Sequence, residues 1–231
     1  MVAACNPLGQ GEDSAKEMRI AISPAAQPVS LALLSCASSN LAEDQQLAVQ
    51  SAIADSIALD DFDFAIQLGE STTGNKAFAE LAEEKLLIIL HPSNPVRRLS
   101  GEQMADLFRD RIEDWNVLEG NNAEVALWIG PASDEARRSL ESKLLAGSPV
   151  SGTARLATSP RHMLDAVGAD VNAIGLLPAA WVDSSVKGLD SGLRLPVLAL
   201  SEGEVSREAR AIVACMQGEQ GQSILAARYS R

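Results

Sequence analysis

Short apolar runs that stop at glycine or proline, each separated from the next by stretches with helical spacing, constrain this chain more than any other feature. "MRIAIS" (18–23) reads as a strand running into Pro24, "FDFAIQLG" (62–69) alternates and stops at glycine, and "LLIILHP" (86–92), "EVALWIG" (124–130), "AIGLLP" (173–178) and "LRLPVLAL" (193–200) have the same character. Helical spacing falls between them at 26–39, 41–56, 76–85, 100–110, 133–147, 161–170 and 206–229, the last broken near Gly218. Ser100 stands three residues before Gln103, the spacing of a capping box, and Gly147 closes the helix predicted over 133–147. Strands alternating with helices predict an α/β fold with a mostly parallel sheet, or two such sheets.

A chain of 231 residues that is 46% hydrophobic can bury a sizeable core as one large domain or two lobes, and no apolar run is long enough to span a membrane. The formal net charge of −12, with acids and bases interspersed, excludes nucleic acid as an expected partner, because that binding needs phosphate-neutralising Lys and Arg. An aromatic content of 3% argues against a base-stacking platform. Enzyme readings find little support. The two histidines, His91 and His162, stand far apart and outside any metal-ligand spacing, and there is no nucleophile elbow or phosphate-cradling loop. Ser151-Gly152-Thr153 looks like a displaced oxyanion motif in a turn-rich loop. No cofactor or metal is expected.

The three cysteines divide by context. Cys5 follows Val2-Ala3-Ala4 and precedes a polar, turn-rich stretch, a pattern that resembles a bacterial lipobox, with residues 1–17 as a tether. A lipidated Cys5 implies an extracytoplasmic protein held at the cell surface or in the periplasm. Cys36 and Cys215 then remain as an even pair in an oxidising compartment, and either a disulfide or two buried small hydrophobes satisfies them.

Larger blocks carry a family resemblance. "LLIILHPSNPVRRLSGEQMADLFRDRIEDWNVLEG" (86–120), "ATSPRHMLDAVGADVNAIGLLPAAWV" (157–182) and "ACMQGEQGQSIL" (214–225) resemble, in order, blocks of phosphate-binding-type solute-binding proteins of ABC transporters. The first is the most specific, through Leu99, Phe108, Ile112, Trp115 and the Asn-Pro pair. The resemblance implies a type II periplasmic-binding fold: two lobes, each a mainly parallel sheet flanked by helices, joined by crossing hinge strands. Residues 18–92 and 191–231 would form lobe 1 and residues 93–190 lobe 2, which places Cys36 and Cys215 in the same lobe. It also implies a small polar solute in the cleft, a membrane permease as partner and a monomeric state.

"WIGPASDEARRSLESKLL" (128–145) then acquires a particular interest. In the phosphate-binding relatives the strand here ends in arginine and the helix begins with a Ser-Gly-Thr group that holds the oxyanion. This chain has Gly130 in place of the arginine, and Ser133, Asp134 and Glu135 at the helix start. Asp134 caps the helix, repels anions, or replaces a ligand group; two acids at the mouth weigh against phosphate by the family's usual mode. Arg137 and Arg138 follow, and Asp134 to Arg138 has the spacing of a surface salt link. The other expected ligand contacts are Ser23 and Gln27 after the first strand, Glu70, Ser71 and Thr72 in the third loop, and Thr158 and Ser159 ahead of the helix at Arg161. Trp115 and Trp128 are assigned to the core, and Trp181 to core packing or a stacking wall. The expected function is an extracytoplasmic solute-binding protein of an importer or sensor for a neutral or cationic solute. The alternative is a surface adaptor or signalling protein of the same fold without a transported ligand.

Overall fold

The computed structural model describes residues 17–53, 59–69 and 76–229. Its strands are β1 (Glu17–Ile22), β2 (Gln46–Ser51), β3 (Phe64–Leu68), β4 (Lys76–Leu90), β5 (Ala126–Ile129), β6 (Arg155–Leu156), β7 (Ala173–Pro178) and β8 (Lys187–Ser201). The helices are α1 (Ser30–Asn40), α2 (Gly101–Phe108), α3 (Glu135–Ser139), α4 (Pro160–Ala169), α5 (Arg207–Gln217) and α6 (Glu219–Leu225). The strands form one sheet in the order β2-β1-β3-β8-β4-β7-β5-β6.

The expected mostly parallel sheet is therefore only partly present. β2, β1 and β3 are mutually parallel at one end and β7, β5 and β6 at the other, but β8 and β4 run antiparallel to each other and to their outer neighbours, β3 and β7. These two strands are 15 residues long and pair from Lys76–Ser201 to Leu90–Lys187, so they tie both parallel ends into one continuous ladder. A single apolar cluster runs through both, from Ile20, Phe64 and Ile66 to Trp115, Ile129 and Ile174.

Two predicted helices are strands. Residues 76–85 belong to β4: Ala, Leu, Glu and Lys favour a helix, but the ladder with β8 satisfies their backbone groups, and tertiary pairing overrides propensity. Register shifts lie between Ala77 and Ala79, Glu80 and Ala82, and Lys85 and Leu87. The bulges break the two-residue alternation, so buried Leu81, Glu84 and Ile88 fall at three- and four-residue intervals that mimic a helical face. Within 41–56, β2 is an exposed edge strand paired, among the described residues, to β1 alone, and its Gln and Ser residues dilute any strand signature. The helix expected over 133–147 divides into α3 and a π-helical turn, Leu140–Leu144, before Gly147 stops it at φ +83°.

Other expectations hold. The capping box forms, with Gln103 N–H donating to Ser100 Oγ and Ser100 N–H donating to Gln103 Oε1. The terminal helix breaks at Gly218. Cys36 and Cys215 are bonded, Cα to Cα 5.6 Å, and fasten α1 to α5. Trp115 is wholly buried, and its Nε1–H donates to Asn172 O. The Asn-Pro-Val segment is structural. Buried Asn94 donates to Val171 O and accepts from Val96 N–H, while the Lys187 ammonium donates to Asn94 O and Val96 O. Among the described residues no helix is long and apolar enough to cross a membrane.

Candidate functional site

Strands from both parallel ends of the sheet, which run in opposite senses, deliver the site. β1, β5 and β6 run into Ser23-Pro24, Gly130-Pro131 and Thr158-Ser159-Pro160 at their carboxyl ends, where open α/β sheets hold ligands. β1 belongs to one parallel end of the sheet and β5 and β6 to the other, so the three loops meet across the long central strands.

α3 begins with Asp134, whose Oδ1 accepts the Arg137 N–H at 2.9 Å. Asp134 is thus the helix cap. Its carboxyl packs against the backbone of Gly130, where a Cβ would lie 3.0 Å from Asp134 Cγ, so the cap leaves little room for a side chain at position 130. One salt link in this stretch joins Arg137 to Glu141 at 2.9 Å, Arg137 Nη1 also donates to Gly130 O at 3.1 Å, and the charge of Arg138 acts on Asp134. α4 begins on Ser159, whose Oγ accepts the His162 N–H at 3.1 Å, while Thr158 meets His162 Nδ1 through its N–H and hydroxyl, each at 3.3 Å.

Glu135 is the residue that sequence reasoning missed. It is 5% exposed, its carboxylate takes a hydrogen bond from the hydroxyl of fully buried Ser23, and its Oε1 has no partner. Burial pushes the carboxyl pKa of both Glu135 and Asp134 up, and the Asp134 charge adds to the shift at Glu135. The only sequence signal was its place beside Asp134 at the first helical position. Its bond to Ser23, more than a hundred residues away, is a product of the fold.

Ser133, Asp134, Glu135, Thr158 and Ser159 line a cavity of about 80 Å³, closed on its other sides by Pro24, Pro131, Pro160 and Ile53. Four of the predicted ligand residues are therefore brought together, and Ser23 reaches the site through Glu135. Gln27 is not part of it; this residue lines a separate hollow of about 320 Å³ with Trp181, Arg161 and Arg228. Trp181 is partly buried there, its Nε1–H donating to Ala25 O at 3.0 Å. Glu70, Ser71, Thr72 and Cys5 lie outside the described residues. Hollows of about 430 and 560 Å³ sit on the flank of β4 and α5, away from the strand-end loops. Ser151 and Thr153 bond to each other at 2.9 Å and Thr153 donates to Asp110 at 2.8 Å, which makes that segment a turn clamp for Asp110 at φ +61°.

The continuous sheet with parallel ends, two long antiparallel crossing strands and a cavity at the strand-end loops is the type II periplasmic-binding-protein fold, as the resemblance implied. Among solved structures, the chain is similar to a substrate-binding protein of Clostridium perfringens, assigned to a phosphate ABC transporter and holding phosphate, with a TM-score of 0.83 at 17% identity over 93% of this chain and 98% of that one. An ABC-type phosphate transport receptor of Vibrio cholerae matches with a TM-score of 0.71 at 21% identity over 93% and 99% of the two chains. The reduced regulatory domain of Pseudomonas aeruginosa OxyR matches with a TM-score of 0.59 at 13% identity over 88% and 98%. No protein-family model and no curated protein matches the sequence. These neighbours are binding proteins and regulatory domains.

Proposed function

We infer that this chain is an extracytoplasmic solute-binding protein that holds a small polar ligand between two lobes and serves an ABC-type importer or a sensor. The carrying observation is the cavity where the loops after β1, β5 and β6 converge, in a fold whose similar structures are named as substrate-binding proteins. In this reading residues 18–92 and 191–231 form lobe 1, residues 93–190 form lobe 2, and β4 and β8 carry the hinge. The Cys36–Cys215 bond supports an oxidising compartment, with residues 1–17 as a tether anchored at Cys5. The partners are a solute and a membrane permease, and the protein acts as a monomer.

Phosphate in the usual mode is not the ligand. The strand-end position of the relatives' arginine is Gly130, the first helical N–H groups are engaged by Asp134 and Glu135, and both carboxylates oppose a dianion. The cavity volume favours a second reading as well. About 80 Å³ is well below the roughly 300 Å³ at which drug-sized ligand sites begin, and a binding-protein-like adaptor with a nearly filled cleft fits that size.

A thermal-shift panel of anions, amino acids, amines and small sugars separates the two, since a ligand of the folded state raises Tm with the logarithm of its concentration over Kd. A saturable shift that weakens in Thr158→Val supports the solute-binding protein. Silence across the panel supports the adaptor.

A further inference from the structure

We propose that the cavity takes a primary ammonium group, and that Glu135 is the residue that selects it. The inference rests on the solute-binding reading and names its ligand class.

The backbone offers few free donors here, while the hydroxyls of Ser133, Thr158 and Ser159 can donate or accept. Glu135 Oε1 is buried without a partner. Burial favours the neutral acid, but a bound cation would favour the ionised carboxylate, which only accepts and which an N–H donor completes. Pro24, Pro131 and Pro160 have no N–H, which removes a backbone donor from each of the three loops that meet here. The donors at the start of α3 are already used: Arg137 N–H goes to Asp134, and the Glu135 N–H bonds to its own carboxylate. Arg137 directs its guanidinium to Glu141 and Gly130 O, and Arg138 acts on Glu135 electrostatically alongside Asp134. An oxyanion could take hydroxyl donors but would face the acids Asp134 and Glu135. An ammonium would give one N–H to Glu135 Oε1 and the others to the oxygens of Ser133, Thr158 or Asp134.

Size agrees with a headgroup. About 80 Å³ equals roughly two to three water volumes, enough for –CH2–NH3+ but not for a bulky quaternary cation. Ile53 and the prolines provide the apolar lining for the attached carbon.

The test compares methylammonium, tetramethylammonium and sodium chlorides at equal ionic strength, by thermal shift and calorimetric titration of the full chain, with phosphate and neutral sugars in parallel. Methylammonium is expected to bind saturably and tetramethylammonium, which has no N–H, to behave as sodium does. Glu135→Gln is expected to weaken methylammonium at least tenfold. Thr158→Val, on the opposite wall, is expected to weaken it several-fold and keeps the test open if Glu135→Gln does not fold. Equal responses to the two ammonium salts, no response to methylammonium, or unchanged binding in Glu135→Gln would each overturn the proposal. A shift with phosphate or a sugar while the amines are silent overturns the ammonium assignment and leaves the solute-binding reading intact; silence throughout removes both.

Discussion

Glu84 shows how one side chain can set a pH dependence for the whole protein. It lies on β4 with no exposed surface, accepts a long hydrogen bond from Ala180 N–H at 3.4 Å, and leaves Oε2 unpartnered. Burial raises its pKa from 4.5 to about 7. The native state therefore keeps a proton that the unfolded chain has released, and its contribution is full below about pH 4.5 and lost as pH rises through 7. Between pH 5 and 8 the urea midpoint should fall by the equivalent of about 2.5 kcal/mol from this group, and Glu84→Gln should remove that slope. At the helix cap, Asp134→Ala should cost about 1 kcal/mol and lower Tm by roughly 2–4 °C. Gly130→Ala should cost less in the Asp134→Ala background than in the parent, because the added Cβ would otherwise meet the Asp134 carboxyl; additive losses in a double-mutant cycle would refute that contact. Capping was one of the roles the sequence left open for Asp134, whereas the role of Glu135 depended on a hydroxyl delivered by a distant strand.

At the level of elements, α1 and α5 are held by covalent as well as apolar contact. α1 buries Ala32, Leu33, Cys36 and Ala37 against the core, and the disulfide spans a sequence separation of 179 residues. Closing a loop of that length removes about 5 kcal/mol of chain entropy from the unfolded state in the simplest treatment, and measured losses are commonly about 2–5 kcal/mol. Replacing both cysteines by alanine should lower the denaturation midpoint by an amount in that range. A change below about 1 kcal/mol would show that packing alone holds the two helices. The loop after β4 is a second test of element-level fixation. Asn94→Ala orphans Val96 N–H and Val171 O together and should cost about 1–3 kcal/mol, read from equilibrium unfolding. Helices with strong amphipathic spacing, α2, α4 and α5, were readable in advance. β4 was not, because its bulges place buried residues at helical intervals and its partner strand begins almost a hundred residues later.

For the whole molecule, the continuous ladder of β4 and β8 and the shared apolar cluster couple the two ends of the sheet. Calorimetry should therefore show a single unfolding transition with calorimetric and van't Hoff enthalpies in agreement; two resolved transitions would show that the ends are energetically separate. Alternating strands and helices, an apolar fraction large enough for a core, an acidic balance and an even pair of inner cysteines were properties of the sequence by itself, and they were enough for an α/β fold; the binding-protein kind was implied only by the resemblance of the blocks at 86–120, 157–182 and 214–225. Which strands run antiparallel, where the sheet has edges, and which hydroxyl meets which carboxylate were decided only in three dimensions. Local periodicity reports which face of a segment is buried. It carries no information about the partner across the ladder or across the cavity, and in this protein those non-local partners bring acids and prolines from separate loops to one cavity.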